Sequence, residues 1–157
     1  MFDFIKIREV PKTSWSSEET FNLKPRLQTL MALVVGLILF GLGEALLVTS
    51  QIGVSPWTAL GQGLANVSEL GLGLTTFLIS VFVLFLWIPL KQKPGIGTVL
   101  NAIIISLVLH FAIPFLPIFE ENFLRLIQAI LGVFITGIGG GIYLIANLGP
   151  GARDGLM

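Results

Sequence analysis

The chain has 157 residues, of which 54% are hydrophobic and 11% charged, with nine basic and nine acidic side chains in balance. It has no cysteine and one histidine, which excludes disulfides, thiol catalysis, Cys-ligated metals and a multi-histidine metal centre. Zero net charge offers nucleic acid no basic footprint, and a mean hydropathy of +0.92 places the chain in a bilayer.

Residues 1–26 are polar and mixed in charge, with Lys6, Arg8, Lys12, Lys24 and Arg26 set against Asp3, Glu9, Glu18 and Glu19. No short apolar core leads to a small-residue cleavage site, so this is not a signal peptide. The segment FDFIKI has the pattern of a short helix lying on the membrane surface. A frayed tail is the preferred reading.

The first predicted span covers about residues 28–48 and is followed by the break Gly53-Val54-Ser55-Pro56-Trp57. Residues 57–68 are too short to cross and predict a re-entrant or interfacial helix. A second span follows at about 70–90, with Trp87 near its end at the depth of an aromatic belt. The basic turn Lys91–Gly95 leads to a third span, about 96–116, whose end is loosened by Pro114 and Pro117. After Glu120-Glu121-Asn122, a fourth span runs over about 123–147 and is broken by Gly149-Pro150-Gly151. The predicted fold is all-α, a polytopic helical membrane protein of about four transmembrane helices. A cytoplasmic tail, 1–26, precedes a transmembrane domain, 27–157.

Charge sets the orientation. Lys24, Arg26, Lys91, Lys93 and Arg153 fall on one side of four alternating spans, and Arg125 falls on the other. The positive-inside rule then makes the N-terminus cytoplasmic, in a multi-pass protein of the bacterial inner or plasma membrane.

One stretch occurs twice. Gly36, Gly41, Gly43, Gly53 and Leu60 recur at a constant offset of 96 residues as Gly132, Gly137, Gly139, Gly149 and Leu156. Spaced glycines repeat by chance far less readily than apolar residues do. Three spans separate the starts of the two copies, so the copies are predicted to be antiparallel, an inverted-topology repeat. This holds provided residues 57–68 do not cross. The first unit covers about 28–120. The second, about 123–157, stops a third of the way through, so the sequence is expected to be a fragment, or a degenerate relative, of a longer protein.

The second break, LGPGARDGLM, resembles a motif of the YczE/YyaS/YitT-type bacterial integral membrane proteins. IGVSPWTAL resembles the earlier motif of that family, and GTVLNAIIIS is similar to its third-span pattern. The resemblance covers about residues 30–157 and implies further helices after the RDGL motif. Thr58 stands where the family commonly has an acid. The role of the family is uncharacterised, so the resemblance implies no substrate.

The candidate binding residues are Gly53, Pro56, Trp57 and Thr58 in the first break, and Gly149, Pro150, Arg153 and Asp154 in the second. Gly and Pro release backbone groups that are costly in lipid unless protein, water or a ligand satisfies them. An ordinary interfacial turn is the alternative. Arg153 also suits a headgroup anchor, and Asp154 an N-cap. Glu44 is the one acid within a span, where a charge costs about 2.5–3.5 kcal/mol, and so joins the candidates. Gly36, Gly41, Gly43, Gly132, Gly137, Gly139 and Gly141 are predicted to bring helices close together. Asn101 is predicted to bond across helices, and His110 lies on the opposite face of the same helix.

No nucleophile–base pair or acid pair supports an enzyme, and neither a cofactor nor a metal is expected. The preferred function is a small-molecule or ion transporter whose site is built from the broken helices. The alternative is a non-transporting scaffold or regulatory membrane protein. Expected partners are the lipid bilayer, the transported solute and, if the chain works as an oligomer, further copies of itself.

Overall fold

The computed structural model describes residues 13–152. Arg153, Asp154, Leu156 and the FDFIKI segment lie outside the described residues. Five α-helices follow in chain order: α1 Leu27–Ser50, α2 Pro56–Ser68, α3 Leu72–Trp87, α4 Ile96–Ala112 and α5 Asn122–Ile145. The described residues contain no strand.

Three segments are long and apolar enough to cross a membrane. They are α1, α4 together with the 3₁₀ turn that extends it to Phe115, and α5, with mean hydropathies of 2.4, 2.2 and 1.7. At 1.5 Å per residue, the 24 residues of α1 and of α5 reach about 36 Å, enough for a ~30 Å hydrocarbon core. The 16 residues of α3 reach only about 24 Å, less than the predicted 70–90 span. Its helix gives way to turns at Ile88, and Lys91 adopts φ 54°.

The 13 residues of α2 form a helix bent by 113° from α3. Its first turn bonds to Glu44 inside the bundle. Its last turn shares a surface cavity with Val48 and Ile113, where α1 and α4 end. The chain therefore dips inward over residues 51–56 and leaves again on the same face, so α2 does not cross. The described residues thus hold three spans, α1, α4 and α5, and a fourth where the bent pair of α2 and α3 counts as one.

Helices α1 and α5 are antiparallel and touch backbone to backbone. A Cβ built on Gly36 would lie 3.0 Å from the Gly139 carbonyl oxygen, and one on Gly132 would lie 3.0 Å from that of Gly43. The reverse approaches measure 2.6 Å, from Gly139 to Gly36, and 2.7 Å, from Gly43 to Gly132. Bilayer helices gain nothing from hiding Leu from lipid, so close packing through small residues holds such a pair together. Gly41 faces α4 instead, where a Cβ built on it would lie 2.8 Å from Val108 Cβ. Gly137 and Gly141 meet nothing within 4 Å, so the packing expected of them is absent among the described residues.

The core between the helices contains Leu33, Leu37, Ile105, Leu109, Tyr143 and Leu148. The outward faces carry Met31, Val35, Phe82, Phe85, Ile103, Leu107, Phe134 and Ile138, all exposed, as lipid contact allows. Two expectations are corrected here. The described part of the tail is docked, because Ser17 N–H donates to the Ala146 carbonyl and Asn147 Nδ2 donates to the Ser17 carbonyl. Trp87 is buried, and its Nε1–H donates to the Ala152 carbonyl at 3.1 Å, so it packs inside the bundle and not in an aromatic belt.

Candidate functional site

The two chain breaks have related geometry. Helix α1 is capped by Gln51 in the left-handed region (φ 57°). Asn147, at the equivalent place after α5, has φ 52°. Left-handed caps commonly end helices, although glycine usually supplies them. Beyond Gln51, Ser55 caps α2: its Oγ accepts from Thr58 N–H, and Pro56 takes the first helical position, where no N–H is needed.

Beyond Asn147, residues 148–152 fold back between α3 and α4. Gly97 N–H donates to the Leu148 carbonyl at 2.7 Å, and Thr98 Oγ1 donates to the Pro150 carbonyl at 2.7 Å while accepting from Gly95 N–H. Gly149 has φ 116°, which only glycine adopts without strain, and a Cβ there would lie 2.7 Å from Thr98 Oγ1.

Both breaks reach one buried cavity of about 30 Å³. Ser55, Trp57 and Thr58 line it from the first break, and Gly151 and Ala152 from the second. Helix α1 contributes Phe40 and Glu44, α3 contributes Thr76 and Ser80, and α5 contributes Tyr143. Helix α4 adds Asn101, Ile105, Ser106 and Leu109. These positions sit in the middle turns of α3 and α4, so the cavity lies well inside the bundle.

Among the described residues, Glu44 is the only formally charged side chain in this lining, and it is 3% exposed. Its Oε2 accepts from Thr58 Oγ1 in a short hydrogen bond and from Ser55 Oγ at 3.1 Å. The N-terminal turn of α2 thus lies against the carboxylate, where the helix dipole favours negative charge. Thr76 Oγ1 is buried and has no hydrogen-bond partner.

The placement of the predicted site residues is uneven. Glu44, Trp57 and Thr58 come together at the cavity. Gly53 and Pro56 are exposed, while Gly149 and Pro150 shape the second turn without lining the cavity. Asn101 lines the cavity, and its side chain makes no hydrogen bond to another helix among the described residues. His110 is exposed and stacks edge-on against Phe111.

Thr76, Ser80 and Ser106 were not singled out by the sequence, because single hydroxyls in apolar helices carry no motif, and Ser55 was included only as part of the first break. One signal was available: Ser55 precedes Pro56, the usual arrangement of a helix cap. The cap of α1 was also missed. Arg125 Nε donates to the Ser50 carbonyl at 2.9 Å and Nη2 to Gln51 Oε1 at 2.7 Å.

Three to four apolar spans around one buried acid among the described residues define the class, a multi-pass helical membrane protein. Residues 27–157 match the model of a family of unknown function, DUF6198, and the chain belongs to that family. It is 38% identical over 152 residues to an uncharacterized protein of Haemophilus influenzae, covering 97% of this chain and 69% of that one. Against the uncharacterized membrane protein YczE of Bacillus subtilis it is 32% identical over 124 residues, covering 78% of this chain and 58% of YczE. Against the uncharacterized protein YyaS of the same organism it is 30% identical over 107 residues, 68% of this chain and 52% of YyaS. The chain thus spans little more than half the length of its two Bacillus relatives. No solved structure matches it.

Proposed function

We propose that this chain forms part of a secondary transporter for a small molecule or ion, with the Glu44 cavity as its binding site. The observation that carries this reading is the convergence of two interrupted segments on one buried carboxylate. Interrupted helices meeting near the bilayer midplane are a recurrent way to build transport sites.

The reading includes an inverted repeat. The contacts Gly36–Gly139 and Gly43–Gly132 exchange under the 96-residue offset, as a two-fold axis between α1 and α5 requires. Ser55 and Gly151, related by the same offset, both line the cavity. The proposed orientation puts the N-terminus in the cytoplasm of a bacterial inner membrane, because Lys24, Arg26, Lys91 and Lys93 share one face.

Single-cysteine labelling tests the reading, and the chain is naturally free of cysteine. In right-side-out and inverted vesicles, a transporter exposes Ser55→Cys and Gly151→Cys in turn to each face. Both then react with a membrane-impermeant thiol reagent added on either side. Labelling from one side only, or from neither, refutes alternating access. The open face at Gly137 and Gly141 favours a second reading, a scaffold that docks another helix there. A scaffold predicts a specific partner on purification and no flux.

A further inference from the structure

We infer that the Glu44 cavity binds a single alkali-metal cation of about the size of sodium. The inference deepens the transport reading by naming the class of ion, and it rests on the same cavity.

Charge comes first. Among the described residues the lining holds one carboxylate and no basic side chain, a single formal negative charge. An uncompensated ion within a bilayer is costly, so a bound monovalent cation would balance it, and a divalent one would leave an excess.

Donor chemistry comes next. The hydroxyl protons of Ser80 and Ser106 are already directed at backbone carbonyls four residues back, those of Thr76 and Ala102. The Thr58 proton is committed to Glu44. These three hydroxyls therefore offer the space oxygen lone pairs and no free proton, while Asn101 in the same lining carries both an amide oxygen and N–H groups. Hard cations take oxygen ligands of this kind.

Thr76 gives an independent indication. Its Oγ1 lacks a hydrogen-bond partner although the residue is only 5% exposed, and it lines the same cavity. A buried hydroxyl left unpaired is unfavourable, and a ligand in the cavity would satisfy it. Size agrees as well: about 30 Å³ holds roughly one or two waters, or a small cation with little of its hydration shell.

The test is radiosodium binding to the purified chain in detergent micelles, at fixed pH and at ionic strength held constant with N-methylglucamine. The expected result is saturable binding that unlabelled sodium or potassium displaces and N-methylglucamine does not. Glu44→Gln should weaken binding at least about tenfold. Because Glu44→Gln could disturb folding, Thr76→Val is the second variant. It removes a hydroxyl that bonds to nothing among the described residues, so a purely structural role predicts unchanged binding and unchanged or higher stability. A ligand role predicts weaker binding in a folded protein. Absence of saturable alkali-cation binding, or full binding by a folded Thr76→Val protein, overturns the inference. Cation binding without flux would refute transport alone, and flux without cation binding would refute this inference alone.

Discussion

Replacing Gly139 by alanine puts a methyl group 2.6 Å from the Gly36 carbonyl oxygen and against the Phe40 amide nitrogen. Ordinary contact begins at 3.4 Å, so the new Cβ falls short by about 0.8 Å. The obstacle is backbone on α1, which cannot change rotamer, and the two helices must move apart. Overpacking of this kind costs about 1–3 kcal/mol. Gly137→Ala is the matched control, on the same helix two residues earlier with nothing within 4 Å. Both variants gain the same helix propensity, about 1 kcal/mol, so the difference between them isolates the steric cost. The assay is loss of helical circular dichroism during titration of detergent-solubilised protein with sodium dodecyl sulfate. Gly139→Ala should unfold at lower denaturant than wild type, and Gly137→Ala at the same or higher. Coincident curves for the two variants would refute the backbone contact between α1 and α5.

Two further outcomes follow from hydrogen bonds. Thr98→Val removes the acceptor for Gly95 N–H and the donor to the Pro150 carbonyl; it should cost about 1–3 kcal/mol and speed amide hydrogen exchange at Gly95 and Gly151. Unchanged exchange there would mean that Thr98 does not hold the second turn. Arg125→Met removes the cap on the Ser50 carbonyl and should cost about 1 kcal/mol. The difference from wild type should shrink as salt rises, because part of it is charge against a helix end, and a salt-independent difference would assign it to packing.

Much of the fold was legible because a bilayer demands long apolar helices, and Gly and Pro mark their ends. Spans α1, α4 and α5 lie within a few residues of their predicted limits. The shortness of α3 was hidden because Ile88, Pro89 and Leu90 are as apolar as the helix they follow. Left-handed caps at Gln51 and Asn147 were unreadable because glycine, the usual signal, is absent from both. Docking of the tail depends on Ser17 meeting the end of α5, a long-range contact that no local pattern encodes.

At the site, Glu44 was legible because an acid in a span is rare. Thr58 was already a candidate from the first break, but its bond to Glu44 and that of Ser55 became visible only when the chain folded back, since they lie 14 and 11 residues away. A Cβ built on Gly73 would lie 2.5 Å from the Ser106 carbonyl oxygen of α4, a close approach that a single glycine in an apolar helix does not announce.

The central claim is that Glu44, at the meeting of the two breaks, carries solute across the membrane. Radiosodium exchange by the chain reconstituted into proteoliposomes tests it most directly. The account predicts saturable exchange above that of protein-free liposomes, lost in Glu44→Gln and reduced in Thr76→Val. Exchange no faster than in protein-free liposomes, or undiminished exchange by Glu44→Gln, would contradict it.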